Sequence, residues 1–335
     1  MYQTNHIYRT VEKIIAPIYE VGGSVRDGLR GVEPADFDFA TPLSPDIIEQ
    51  SIRAHNRRPF LTGKRFGTIG VKLEGVLVEI TTFRVERYHE GTRNPEVSFV
   101  KDLVEDLGRR DFTINAMAKK GGRLIDPFGG REDLEGRIIR CVGNPSSRFK
   151  EDPLRMLRAL RFAAQLGFEI EETSKRAISR SAYRILQVSK ERWVAELDKV
   201  LLAENCEKGL RYFMDTGLCR FIIPELALQK GYDQKSKYHA HTLWEHTIAV
   251  TVSVPAEIHL RWAALLHDIA KPFVGIEKEG RRTYAKHDLL GYEMVRRLGA
   301  YFRWSNKRID AVSALVGDHM KDTSPLRSAD NNSKV

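Results

Sequence analysis

The sequence predicts an α/β head, a mixed sheet with helices, followed by an all-α neck and an all-α body. Three observations lead there. Strand-like alternation is confined to the first third, most clearly in Thr68 to Leu73 and Val76 to Ile80. From Asp152 onward strand signals almost vanish, and helical patterns follow one another, broken at Gly167, Gly217, Pro224, Gly231, Pro255, Pro272 and Gly299. The chain also has 335 residues, more than one small core accommodates.

Taken in order, Ile7 to Ile15 has helical apolar spacing and is closed by Pro17. A short strand, Ile18 to Val21, runs into Gly22-Gly23. Ser44-Pro45-Asp46 combines a cap, a proline at the first position and an acid in the first turn, starting a helix to about Ala54. Glu74-Gly75 joins the two alternating runs as a tight turn, which makes them an antiparallel hairpin. Asn144-Pro145-Ser146-Ser147 reads as a loop and puts a boundary near Phe149; a second falls near Gly231 to Gln234. The division is therefore a head over 1–149, a neck over 150–231 and a body over 232–335. The polar tail Ser328 to Ser333 is expected to fray.

Composition excludes several classes. With 42% hydrophobic and 30% charged residues the chain has enough apolar material to fold. No run approaches the roughly 20 apolar residues of a membrane span, and no basic leader precedes an apolar run at the N-terminus. Three cysteines without CxxC spacing speak against a disulfide framework or a cysteine zinc site, and fit a reducing cytoplasm. A net charge of +9 favours a polyanionic partner, nucleic acid or nucleotide.

Gly22-Gly23-Ser24-Val25-Arg26-Asp27 follows a strand and opens a helix. Glycines let backbone N–H groups approach a phosphate, a serine hydroxyl adds a donor and an arginine adds charge. Taken alone, Gly-Gly is an ordinary strand-to-helix turn. Downstream, Asp36-Phe37-Asp38-Phe39 puts both acids on one face of a strand and both rings on the other. Two carboxylates held that close call for a cation, and hard oxygen ligands select Mg²⁺. Glu79, on the polar face of its strand, is a third metal-directed acid or simply part of a wet sheet face. Arg109-Arg110-Asp111-Phe112-Thr113-Ile114-Asn115 reads as a helix start with Asp111 and Asn115 on one face. Arginine, aspartate and asparagine there suit a ribose and a triphosphate; the same residues also make a plain capped helix. Glu151, Asp152 and Arg155 share a helix face opposite Leu154, Leu157, Leu160 and Ala164. That acid–arginine pair is either a donor–acceptor edge like that of a complementary base, or an intrahelical ion pair.

Together, Gly22 to Asp27, Asp36-Phe37-Asp38 and Arg109 to Ala118 resemble the bacterial (class II) tRNA nucleotidyltransferase/poly(A) polymerase family, within the polymerase-beta nucleotidyltransferase superfamily. The resemblance continues through Asp126-Pro127-Phe128-Gly129-Gly130, the base-selecting helix at Glu151 to Phe162 and a supporting helix from Ser189 to about Leu201. It implies CCA addition, or addition of the terminal A, to tRNA 3′ ends from CTP and ATP with Mg²⁺. By resemblance, Asp36, Asp38 and Glu79 are catalytic, Asp36 and Asp38 holding the metal. Gly22, Gly23, Ser24 and Arg26 hold the triphosphate, Arg110, Asp111 and Asn115 the ribose, and Asp152, Arg155 and Arg158 the base. The basic segment from Arg84 to Pro95 matches in place the flexible loop of members that add the terminal A. A poly(A) polymerase or an A-only enzyme is the alternative within the class.

Farther on, Ala263 to Pro272 is an apolar helix interrupted by His267-Asp268, a pair costly to bury unless a divalent metal joins it. His246 and His287-Asp288 complete a cluster. This region resembles the HD phosphohydrolase superfamily, with His246 as its first histidine and Asp318 in place of its distal aspartate. That implies a second divalent metal on His246, His267 and Asp268; members either hydrolyse phosphoesters or use the module structurally. An HD phosphohydrolase with an RNA-binding head is the rival from another class. His239, His241 and His259 read as ordinary histidines. Relatives carry a further helical segment beyond this region.

Overall fold

The computed structural model describes residues 2–34, 36–87, 96–235 and 242–332. It divides into two compact units, Met1–Asp152 and Pro153–Val335.

The first unit is built on a seven-stranded mixed sheet. Its strands are β1 (Tyr19–Val21), β2 (Phe37–Thr41), β3 (Pro59–Phe60), β4 (Thr68–Leu73), β5 (Val76–Thr82), β8 (Ala118–Lys120) and β9 (Arg123–Ile125), in the order β3-β4-β5-β2-β1-β8-β9. β6 (Arg84–Arg87) and β7 (Glu96–Phe99) form a separate antiparallel ladder. Thus the flanks of the predicted flexible loop are strands; its remainder, 88–95, lies outside the described residues. Among the described residues, only β2 and β5 pair in parallel within the large sheet; β4–β5 is the expected hairpin, with Glu74 and Gly75 both at positive φ.

Helices α1 (Tyr2–Ile14) and α3 (Pro45–Ala54) belong to this unit, and Ile7, Val11, Ile48 and Ile52 bury with Phe37, Phe39, Val78 and Ile80 in one cluster. Ser44 caps α3 by accepting the Ile47 N–H. The alternation in β2 and β5 therefore sends phenylalanine, valine and isoleucine into the core, and Asp38 and Glu79 the other way. A second cluster of Val21, Ala40, Phe83, Leu107, Ala116 and Val142 packs elsewhere in the unit. The remaining helices are α2 (Gly23–Leu29), α4 (Leu103–Gly108), α5 (Gly130–Glu135) and α6 (Pro145–Glu151). α6 corrects the expected loop at Asn144: asparagine caps the helix through the Ser147 N–H, proline takes its first position, and Phe149 is fully buried.

The second unit runs through α7 (Leu154–Leu166), α8 (Glu172–Ser181), α9 (Lys190–Leu201), α10 (Cys206–Asp215), α11 (Leu218–Ile222), α12 (Pro224–Ala227), α13 (Leu243–Ser253), α14 (Ile258–Leu266), α15 (Lys271–Val274), α16 (His287–Tyr301), α17 (Asn306–Gly317) and α18 (Arg327–Asn332). Helices on both sides of 231 pack together. Arg211 of α10 makes a bidentate pair with Glu245 of α13 (2.9 and 2.7 Å), and Trp262 of α14 donates to Asp198 of α9 at 2.7 Å. A small hairpin, Ile276–Lys278 with Arg281–Thr283, interrupts the helices. The tail expected to fray is helix α18, held by fully buried Leu326 and by buried Ala329 and Asp330. No described helix is long and apolar enough to cross a membrane, and all three cysteines are buried thiols.

Candidate active site

Parallel pairing of β2 with β5 places Asp38 directly beside Glu79. Asp36 lies just before β2 and is exposed, as is Glu79, while Asp38 is half-buried. Burial pushes the Asp38 carboxyl up; the Arg110 guanidinium opposes this, and the charges of Glu79 and Asp36 add to it. Asp38 and the two acids whose charge it feels, Glu79 and Asp36, offer carboxylate oxygens of the kind a hard divalent cation takes.

Gly22 forms the corner of the site. Its φ of 75° is one that glycine adopts freely, and a Cβ there would stand 3.0 Å from Nη1 of Arg110 and 3.7 Å from Oδ2 of Asp38. The Gly-Gly turn, Arg110 and Asp38 therefore converge. Ser24 is turned inward, its hydroxyl donating to the Val21 carbonyl at 3.2 Å, so it secures the turn. Arg26 donates to Asn115 Oδ1 at 2.7 Å and to Asp27, and Asn115 in turn donates to Asp111 Oδ1 at 3.1 Å.

The helix expected from Arg109 is instead a turn, one extended residue at Phe112 and one 3₁₀ turn, Thr113–Asn115. Phe112 bridges Cys141, and the Thr113 and Val142 N–H groups donate to the carbonyls of Arg140 and Asp111. Pairing with 140–142 thus replaces helix, yet the turn still brings Asn115 back to Asp111. One anchor escaped the sequence reading. Asp106, fully buried on α4, binds Arg109 (2.9 Å), Arg110 (3.3 Å) and the Arg84 N–H (3.2 Å). Burial would raise its pKa, but Arg109 and Arg110 outweigh that and hold it low. Its spacing of three and four residues ahead of the arginine pair was the available signal.

Asp152, extended as a residue before proline should be, ends the first unit, and Arg155 lies buried in α7 of the second. Glu151 ends α6 and pairs with Arg148 at 2.6 Å, and α7 starts afresh at Leu154. Arg158 is half-buried near the Phe162 ring; Arg161, over that same ring, pairs with buried Glu196 of α9.

The second unit carries a histidine centre assembled from five helices or their ends. His246, His267 and Asp268 form one group, and Asp268, His287 and His319 another, each with ligand atoms within 4.8 Å. Asp330 of α18 approaches His246 Nε2 to 3.1 Å. This corrects the expectation for Asp318, which caps α17 from outside and pairs with Lys321; its neighbour His319 enters instead, and Asp330 is the distal acid. Asp288 is not part of the centre's two groups. His259 is half-buried, and His239 and His241 lie outside the described residues. Both carboxylate oxygens of Asp268 are buried among the imidazoles of His246, His267, His287 and His319, with Lys271 Nζ 2.6 Å from Oδ2, a donor set suited to a cation. Burial opposes its ionisation, yet His267 and Lys271 hold it well below the usual carboxylate range. Burial and neighbouring His267 push His319 down to about 4.

A mixed sheet presenting acids beside a Gly-Gly turn defines a nucleotidyltransferase-type head, joined here to a helical unit with an HD centre. Family models agree: the poly(A) polymerase head domain matches residues 18–140, the probable RNA- and SrmB-binding site of polymerase A matches 167–229, and the HD domain matches 239–333. The chain belongs to the tRNA nucleotidyltransferase/poly(A) polymerase family with a C-terminal HD domain. It is 42% identical over 218 residues to a CCA-adding enzyme of Geobacillus sp. (strain WCH70), covering 64% of this chain and 53% of that protein. Identity to the CCA-adding enzyme of Bacillus licheniformis is 46% over 202 residues, 60% of this chain and 50% of the relative. The chain thus spans about half the length of the curated relatives it matches. Among solved structures, the Bacillus stearothermophilus CCA-adding enzyme in complex with CTP superposes with a TM-score of 0.73 at 29% identity, covering 98% of this chain and 75% of that one. The Thermotoga maritima CCA-adding enzyme complexed with tRNA shares the fold, with a TM-score of 0.66 at 22% identity over 99% of this chain and 79% of that one.

Proposed function

We propose that this protein is a template-independent tRNA nucleotidyltransferase that adds CCA, or its terminal A, from CTP and ATP and releases pyrophosphate. The observation that carries the reading is Asp38, in register with Glu79, at the corner made by Gly22 and Arg110. The 3′-terminal hydroxyl oxygen of tRNA attacks the α-phosphorus; a new P–O bond forms as the bond to the bridging oxygen of the β-phosphate breaks. The Gly22-Gly23 backbone, Arg26 and Arg110 hold the triphosphate, with Ser24 securing the turn. Asp111 and Asn115 present the ribose contacts. Asp36, Asp38 and Glu79 would hold Mg²⁺, which when bound supplies charge neutralisation at the attacking and leaving oxygens. Excess positive charge attracts the tRNA backbone and makes binding salt-dependent. The cytoplasm, where the buried cysteines stay reduced, is the proposed place of work.

The deciding experiment offers tRNA ending before CCA, at C and at CC, with each nucleotide in turn. Stepwise CTP, CTP, ATP incorporation is expected. Extension of the CC end alone would mark an A-only enzyme, a long A tract a poly(A) polymerase, and no incorporation would overturn the assignment. Base choice we assign to Asp152, Arg155 and Arg158. Arg155→Ala is expected to cut discrimination of CTP and ATP from UTP and GTP by roughly tenfold or more, through loss of a paired hydrogen-bond edge. An equal fall in kcat/KM for all four nucleotides would make Arg155 structural. A second activity is favoured by the Asp268 oxygens: the HD centre binds a divalent cation on His246, His267, Asp268 and Asp330 and cleaves phosphoesters. Opening of cyclic phosphodiesters to phosphomonoesters with added divalent metal tests it.

A further inference from the structure

We propose that Phe60 and Leu77 form a stacking ledge for the unpaired 3′-terminal base of the RNA strand being extended. This rests on the reading of the head as a nucleotidyltransferase whose carboxylates include Asp38 and Glu79. The register of four neighbouring strands lays the ledge out. Asp38 of β2 is paired with Glu79 of β5, Glu79 with Gly70 of β4, and Gly70 with Phe60 of β3, so the four positions make one row across the sheet. Paired residues share a face, and Leu77, two before Glu79, shares it too. The opposite face carries Ile69, Val71, Val78 and Ile80 into the core.

Gly70 lies mid-strand, where glycine weakens a sheet, and the pairing runs through Ile69, Gly70 and Val71 without a bulge. The use left for a glycine there is close approach from above. A Cβ on Gly70 would stand 3.3 Å from Cβ and 3.6 Å from Cδ2 of Phe60, and 3.6 Å from Cδ1 of Leu77. The ring therefore leans across the glycine from the sheet edge, and Leu77 meets it from β5. Phe60 nevertheless stays 47% exposed and Leu77 51%, so the pair presents its apolar surface outward. All of this lies within the first unit.

The direction of the reaction picks the occupant. Gly22, just after β1, and Arg110 mark the triphosphate side of Asp38, and β1 and β5 flank β2 on opposite sides. In phosphoryl transfer the attacking and leaving oxygens are roughly in line. With pyrophosphate leaving on the β1 side, the 3′-hydroxyl arrives from the β5 side, and its nucleotide lies across β5, β4 and β3. Phe60 is two strand spacings from Glu79, roughly 10 Å, the span of a sugar and its base. An aromatic ring stacks on any base, which suits a strand whose last base changes as it grows. Lys72 is exposed on the same face, and Arg57 and Arg58 are exposed just ahead of Phe60, so positive charge borders the ledge where the strand's phosphates run.

The test uses the whole chain and tRNA carrying 2-aminopurine as its 3′-terminal base, whose fluorescence falls on stacking. Quenching at saturating protein is expected in the parent and in Phe60→Tyr, and its loss in Phe60→Ala with circular dichroism unchanged. In addition assays, Phe60→Ala is expected to cut kcat/KM for tRNA about tenfold, the scale of one base–aromatic stack, and to leave KM for the nucleotide unchanged. On tRNA whose terminal nucleotide lacks its base, parent and variant should be equal. An equal fall on both tRNAs would make Phe60 a structural cover for Gly70 and overturn the ledge. A rise in KM for the nucleotide alone would put the incoming base there and overturn it as well. So would quenching that is absent in the parent or that survives in Phe60→Ala. The fluorescence needs no turnover: a parent that quenches through Phe60 but adds no nucleotide would overturn the nucleotidyltransferase reading and leave the ledge as a site for an RNA end.

Discussion

Asp38→Asn is expected to lower the turnover of nucleotide addition on the order of a thousandfold, the scale of removing one electrostatic stabiliser from a reacting centre. Binding of tRNA, measured by filter retention, should change less than about twofold, because phosphate contacts elsewhere carry that affinity. The stability of the head should hold or rise. The Asp38 carboxyl has its pKa raised by burial and by Glu79 and Asp36, so its charged form is disfavoured in the folded head at neutral pH. A neutral amide of the same shape removes that cost. An unchanged or higher melting temperature with lost turnover is the signature of a group kept for chemistry. Near-parental turnover would remove Asp38 from the catalytic assignment.

Asp106→Asn should do the reverse, costing about 3 kcal/mol of head stability, the scale of removing one partner from a buried ion pair. Asp106 is 1% exposed, and its partners Arg109 and Arg110 are 16% and 18% exposed. The pH dependence follows from its depressed pKa. A carboxylate held low in the folded state contributes stability that is present above the unfolded value of about 3.9 and lost as pH falls through the folded value. The gap between parent and variant in urea unfolding should therefore be full near neutrality and shrink progressively in acid below about pH 4. Freed from Asp106, Arg110 should also lose its alignment beside Gly22, raising KM for the nucleotide more than it lowers kcat. A variant as stable as the parent at neutral pH would show that the arginines find other partners.

Features decided among neighbouring residues are legible in the sequence. Two-residue periodicity was enough to turn Phe37 and Phe39 inward and to leave Asp38 and Glu79 on the other face, because a strand alternates whatever lies beside it. The Ser44-Pro45-Asp46 start and the Glu74-Gly75 turn were equally legible, since caps and tight turns are decided within four residues. Features for which a partner far along the chain competes are not. The stretch after Arg109 has helical spacing, yet Arg140 to Val142 take its hydrogen bonds. The polar tail looked unable to pack, but Leu326, Ala329 and Asp330 are enough to seat one short helix.

By itself, then, the sequence determined the two kinds of architecture and the carboxylates of the head, because alternation and capping are properties of neighbouring residues. It also singled out His246, His267 and Asp268 through one conspicuous acid–histidine pair in an apolar helix. Tertiary structure alone decided which strand is parallel to β2, and so that Glu79 stands beside Asp38. It decided that Asp106 holds the arginines, and that His319 and Asp330, not Asp318, complete the HD centre. Those choices depend on contacts between residues tens of positions apart. Such contacts are settled by which helices and strands can bury their apolar faces together, and no local pattern records that.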